Sequence, residues 1–125
     1  GLIYLAEVFI DSEERTYPLV GLLPGKIRMT GRLQNFGYHE LETIEETFLF
    51  GKGEKIRSHE FHYSVWEVLG SHFRQPYQWA GNKEGYFDGR LLASYQHLHF
   101  GQNPALAQNF VNAMDASKRK NVNRT

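Results

Sequence analysis

Arg90-Leu91-Leu92-Ala93-Ser94-Tyr95-Gln96-His97-Leu98-His99-Phe100, closed by Gly101 and followed by Asn103-Pro104, is the stretch from which the fold class of this 125-residue chain can be read. Apolar and aromatic residues carry it to Phe100, so it reads as a strand that ends at Gly101. Asn103 then offers a side-chain oxygen to the unpaired N–H groups of a helix start, and Pro104 fits the first helical position. Beyond it Ala105, Leu106, Phe110, Val111, Ala113 and Met114 recur at helical spacing. A strand feeding a closing helix points to the α/β class.

Working outward, the middle of the chain is rich in strand patterns. Ile27 to Leu33 and Gly37 to Thr43 alternate polar with apolar residues, Thr47 to Phe50 leads into a turn at Gly51-Lys52-Gly53, and Lys55 to Ser64 has an extended pattern. Trp66 to Phe73 fits a short strand or a helical turn, and Gly81 to Gly89 reads as a loop. Near the start, Tyr17 to Gly25 holds two prolines and two glycines and also reads as a loop, whereas Gly1 to Phe9 reads as a short apolar helix with no capping residue before it. The expected organisation is one unit over 1–117 that starts inside a larger domain, then a solvated basic tail over 118–125.

Composition narrows the function classes. With 41% hydrophobic and 22% charged residues the chain suits one ordinary globular domain, and 14 basic against 14 acidic residues leave no net field to favour nucleic acid or an anionic membrane. The absence of cysteine rules out disulfides, thiolate metal sites and a cysteine nucleophile within these residues. No stretch approaches the roughly 18 apolar residues of a membrane span, and a cytoplasmic location is the expectation.

Three local patterns could carry chemistry. His59-Glu60-Phe61-His62 is not the metalloprotease helix motif, because its histidines are three apart instead of four; on a strand Glu60, His62 and Ser64 share one side and His59, Phe61 and Tyr63 the other. In Tyr95-Gln96-His97-Leu98-His99-Phe100, His97 and His99 would face the same way. A zinc site with His62 is open on paper, but a general base is the better reading and no metal is expected. Ser64 and Ser94 lie near histidines without the Gly-x-Ser-x-Gly elbow of a hydrolase, and Gly51-Lys52-Gly53-Glu54-Lys55 lacks the spacing of a phosphate-binding loop.

Taken together, Gly31-Arg32-Leu33-Gln34-Asn35-Phe36-Gly37-Tyr38, Arg57-Ser58-His59-Glu60-Phe61-His62-Tyr63-Ser64 and Ala93 to Phe100 with Asn103-Pro104 resemble, in order and spacing, the end of the cobyrinic acid a,c-diamide synthase family. One departure is Ser58, where that family typically has glycine, a change that removes no side-chain function. The resemblance implies the C-terminal part of a class I glutamine amidotransferase-like open-sheet domain, with glutamine as substrate. It also implies an ATP- and magnesium-dependent synthetase domain, outside these residues, that amidates the a and c carboxylates of a corrinoid. Sirohaem or nickel-sirohydrochlorin as the amidated ring, and a non-catalytic module that has lost its nucleophile, stay open beside it.

The resemblance also assigns roles. The family's nucleophile is a cysteine in a Cys-Gly-Gly elbow; Gly1 would be the second glycine, which places the cysteine two residues upstream. His97 would relay the thiol proton to departing ammonia. Related glutaminases have a glutamate two residues after the histidine, where this chain has His99. Either His99 or, preferably, Glu60 orients His97, or the base works in a dyad; His62 is a further pocket candidate. A chain lacking the first strands of its sheet should expose an unpaired edge and self-associate, so sizing chromatography of the 125-residue chain is expected to show species above monomer mass.

Overall fold

The computed structural model describes residues 1–70 and 73–123. Along the chain run a one-turn helix α1 (Leu2–Leu5) and strands β1 (Val8–Ile10), β2 (Thr16–Pro18), β3 (Lys26–Met29), β4 (Asn35–Thr43), β5 (Lys55–His62) and β6 (Ser64–Glu67). Next come β7 (Tyr77–Trp79), β8 (Asn82–Glu84), β9 (Tyr86–Phe87), β10 (Leu92–Ala93) and β11 (His97–Leu98), a 3₁₀ turn at Phe100–Gln102 and the closing helix α2 (Pro104–Val122). The strands form a five-stranded antiparallel sheet ordered β11-β5-β4-β7-β8, a four-stranded sheet ordered β2-β1-β3-β6, and the β9–β10 pair. Within the four-stranded sheet β1 and β3 run parallel. The architecture is mixed α/β.

The β4–β5 hairpin is the longest pairing, running from Asn35 opposite His62 to Glu42 opposite Lys55. Thr43 closes it: its hydroxyl donates to Gly51 O and accepts from Glu54 N–H (both 2.7 Å), while its backbone N–H and C=O pair with Glu54 O and Gly53 N. Alternation sends Leu41 and Ile56 to the inner face, where they pack with Leu49, Phe50, Tyr77 and Leu106. Further along that face the inward residues become His39, Ser58, Glu60 and His62, so the sheet changes from an apolar to a polar interior along its length. A smaller cluster of Leu2, Leu23 and Ala93 packs with Trp66 and Tyr95.

Gly25 shows why the second sheet holds its shape. Its φ is +95°, and a Cβ there would run into the carbonyl oxygen of Glu67, while its N–H donates to Glu7 Oε2 at 2.7 Å. No other residue type fits that approach. At the chain's other end, Asn103 Oδ1 accepts the N–H of Ala105 at 3.0 Å, the helix start expected from Asn103-Pro104. Leu106 anchors the first turn, and Asn109 donates from Nδ2 to Leu49 O at 2.7 Å.

Several sequence expectations are corrected. The apolar start is helical only over Leu2–Leu5, because Val8, Phe9 and Ile10 gain cross-strand partners on both sides. Thr16–Pro18 is a strand that takes in the first two residues of the expected loop, with Pro18 on the sheet edge where a missing N–H is tolerated. Thr47 to Phe50 is a bend held by Thr47 N–H on Phe50 O, not a strand. The Gly81–Gly89 loop contains β8 and β9. Arg90 to Phe100 is two short strands instead of one, interrupted where Ser94 Oγ accepts the N–H of Gln96. The basic segment assigned to the tail is helical, continuing α2 through Val122 with Arg119 paired to Asp115 one turn back, and it stays exposed to solvent through residue 123. Trp66 to Phe73 begins inside β6, and its remainder includes positions 71 and 72, which lie outside the described residues, as do 124 and 125 of the tail.

Leu41 is fully buried at the centre of the larger core. Leu41→Ala is expected to lower unfolding free energy by about 2–5 kcal/mol, read as a lowered urea midpoint with an unchanged slope.

Candidate active site

Two adjoining clefts frame the site. One, of about 370 Å³, is lined by Gly1, Leu2, Ser94, Gln96, His97 and Phe100 among others. The other, of about 320 Å³, has Glu60, His62, Glu84, Lys83, Trp66 and Tyr95 on its walls. Leu2 and Ser94 line both.

The second cleft is floored by a buried polar network. The Glu60 side chain is only 3% exposed, and its two oxygens face different partners: Oε1 lies 2.6 Å from His62 Nε2, and Oε2 accepts from Gln96 Nε2 at 2.7 Å. His62 Nδ1 lies 2.7 Å from Ser64 O, a carbonyl that can only accept, so Nδ1 carries a proton. A further proton then lies between Nε2 and Glu60, which binds the pair whichever atom holds it. The His62 ring stacks on Tyr95 at 3.7 Å with a 7° interplanar angle, and Tyr95 Oη shares a hydrogen bond with Ser64 Oγ at 2.7 Å. His39 Nε2 comes within 3.2 Å of Glu60 Oε2 but out of hydrogen-bonding alignment, which makes it the one buried side-chain nitrogen or oxygen without a partner among the described residues.

Gln96 links this network to Glu84. Its amide nitrogen also donates to Glu84 Oε2 at 2.5 Å, and its amide oxygen accepts from Ser58 Oγ at 2.7 Å. Burial, first of all, holds Glu84 above the usual carboxylate range; the Gln96 hydrogen bond opposes this, the Glu60 charge adds to it, and His62 offsets part of it. Burial likewise raises Tyr95, with Ser64 opposing and Glu60 contributing.

The expected site residues fall into two groups. Glu60, His62 and Ser64 do share the inner side of the strand path, as their spacing implied. His97 is exposed and pairs with His59 across β11 and β5, which puts it on the outer face, away from Glu60. Glu60, the preferred orienting carboxylate, is therefore engaged by His62 and Gln96 and makes no hydrogen bond to His97. His99 is exposed and folds toward Gly101, where an added Cβ would meet its ring. With both ring nitrogens engaged, His62 is unavailable as a third zinc ligand for His97 and His99. Ser58 does more than replace a glycine, since its hydroxyl holds Gln96. Gln96, Glu84 and Tyr95 had no signal of their own, because their partners lie 12 to 38 residues away.

Residues 1–105 match the family model of the CobB/CobQ-like glutamine amidotransferase domain. The chain belongs to that family. It is 40% identical over 121 residues to a cobyrinate a,c-diamide synthase of Dehalococcoides mccartyi, with 89% of this chain and 26% of that protein aligned. Like-named proteins of Listeria innocua (38% identity, 90% of this chain, 26% of theirs) and Priestia megaterium (32%, 96% and 27%) are also similar. The chain thus spans about a quarter of the length of these relatives. Among solved structures, a glutamine amidotransferase crystal structure superposes with a TM-score of 0.61 at 21% identity over 90% of this chain and 56% of that one, which establishes a shared fold. No helix among the described residues is long and apolar enough to cross a membrane.

Glu84 keeps its proton in the folded chain at pH values where the unfolded chain has released it. In that window the folded state binds more protons, so stability falls as pH rises above the usual carboxylate range. Glu84→Gln removes this dependence. Its melting temperature relative to wild type is expected to climb as pH rises above the usual carboxylate range and to level off once Glu84 ionises in the folded chain, in parallel thermal melts, and a constant difference would contradict the assignment.

Proposed function

We propose that this chain is the His97-bearing portion of a glutaminase that supplies ammonia to an ATP- and magnesium-dependent amidation of the a and c carboxylates of cobyrinic acid, in cytoplasmic cobalamin biosynthesis. The observation that carries it is the cleft lined by both Gly1 and His97. The family match and the names of the relatives support the reaction class. The corrinoid is taken from those names, and the ATP-dependent step belongs to sequence outside this chain.

The geometry suits the glutaminase half. A nucleophile carried just ahead of Gly1 would enter the chain's structure beside His97, whose imidazole makes no side-chain hydrogen bond among the described residues and is exposed to an incoming group. The 125 residues contain no cysteine, and this reading therefore requires a thiol from outside them. His97 accepts the thiol proton as sulfur attacks the glutamine carboxamide carbon, then returns it to the nitrogen as the C–N bond breaks and ammonia leaves. Water attacks the resulting thioester with His97 again accepting a proton, and glutamate and the thiol are regenerated.

The test compares glutamate release by the 125-residue chain with release by a longer form that carries the upstream thiol. Activity is expected only in the longer form, with His97→Ala lowering it by about 100-fold or more. A longer form that releases no glutamate, or loses nothing on His97→Ala, would overturn the reading.

A further inference from the structure

We infer that Gln96 is the positioning residue for His97, fixing the strand that carries it through a three-way side-chain clamp on the opposite face of the sheet. The function invoked rests on the glutaminase reading above, whereas the clamp rests on geometry alone. β11 is two residues long and pairs only with His59 and Ser58 at the edge of the five-stranded sheet. Two residues of ladder hold an edge strand weakly, and the backbone just before it leaves the sheet at Ser94. Something else must hold His97 in register.

That support is the side chain immediately before it. Gln96 is buried, and it reaches strands far away in sequence: Nε2 donates to Glu60 Oε2 on β5 (2.7 Å) and to Glu84 Oε2 on β8 (2.5 Å), and Oε1 accepts from Ser58 Oγ on β5 (2.7 Å). Oxygens of Glu60 and Glu84 accept from the amide nitrogen while the Ser58 hydroxyl donates to the amide oxygen, so this orientation of the amide satisfies all three bonds at once. Gln96 stands immediately before β11 and is buried where His97 is exposed, so the two side chains point to opposite sides from Cα atoms about 3.8 Å apart. Locking Gln96 on the inner face therefore locks the direction of His97 on the outer one. The Glu60 carboxylate acts on the base through Gln96 instead of by contact.

Charge makes the clamp specific for an amide. The groups facing Gln96 are Glu60 and Ser58 from β5 and Glu84 from β8, with His39 from β4 beside the same Glu60 oxygen and His62 on the other oxygen. Gln96→Glu would place a third carboxylate among them, whereas its protonated form could still donate to one. Gln96→Ala removes every bond. In the longer, thiol-bearing protein Gln96→Ala is expected to lower glutaminase kcat by about 10- to 100-fold with KM within about threefold, since a base misplaced by about 1 Å costs rate more than binding. For Gln96→Glu, the rate relative to wild type should rise as pH falls, a response that a purely structural role would not give.

In the 125-residue chain, the imidazole proton resonance of His97, identified by its loss in His97→Gln, should shift or split in Gln96→Ala while the core methyl signals stay in place. Should Gln96→Ala fail to fold, Ser58→Ala replaces it, and a smaller loss of about 3- to 10-fold in kcat with a shifted His97 resonance is expected. Wild-type kcat and an unmoved His97 resonance in the folded variant would overturn the inference. If the longer wild-type protein releases no glutamate, the glutaminase reading falls, and the resonance comparison decides the clamp by itself.

Discussion

A carboxylate with 3% of its side chain exposed imposes conditions on everything around it, and Glu60 is in that position. An unpaired charge at such depth would cost several kcal/mol, and removing one partner from a buried pair is far more damaging than never having built the pair. The structure meets the demand with His62 on one oxygen and Gln96 on the other, which commits β5, β6 and the segment leading into β11 to a single arrangement. Glu84 is drawn into the same arrangement through the shared amide, and its raised proton affinity records first its burial there and then the nearby Glu60 charge. The large sheet thus has an apolar end that supplies stability and a polar end that supplies uniqueness.

The clefts inherit this division. The wall shared by both is Leu2 and Ser94, so the chain's first helix and the bend before β11 separate a polar chamber from the one holding His97. The Glu60 carboxylate on β5 lies on one face of the sheet and His97 on β11 on the other, with the neutral amide of Gln96 between them. Such a link transmits position but not charge.

Much of the local structure was legible in the sequence. Asn103-Pro104 announces its helix because the capping interaction spans two residues, and the sidedness of Glu60, His62 and Ser64 follows from strand geometry alone. Boundaries failed wherever tertiary pairing outweighed local preference. Val8 to Ile10 left the apolar helix for the sheet, and Ser94 broke an otherwise continuous strand by bonding the backbone two residues on. The polar network was illegible for another reason: Gln96 looks like an ordinary polar residue beside a histidine, and nothing in its neighbours points to Ser58 or Glu84. Helical periodicity faded along α2, where apolar Phe110, Val111 and Met114 remain exposed, so its length came from continuing backbone bonds and not from burial.

A single residue, Tyr63, separates β5 of one sheet from β6 of the other, and its carbonyl accepts both the N–H and the hydroxyl of Thr30 beyond β3. Successive Cα atoms are about 3.8 Å apart, so a join this short leaves no slack for one sheet to slide against its neighbour. Leu5 and Ala6 at the end of α1 are tied by backbone hydrogen bonds to the Gly21–Leu23 segment, while the edge strand carrying His97 is paired to β5. Covalent bonds and ladders consequently join the first residue to β5, like two jaws cut from one piece of metal, and only the last step, from β5 to His97, is left to the short ladder and the Gln96 side chain.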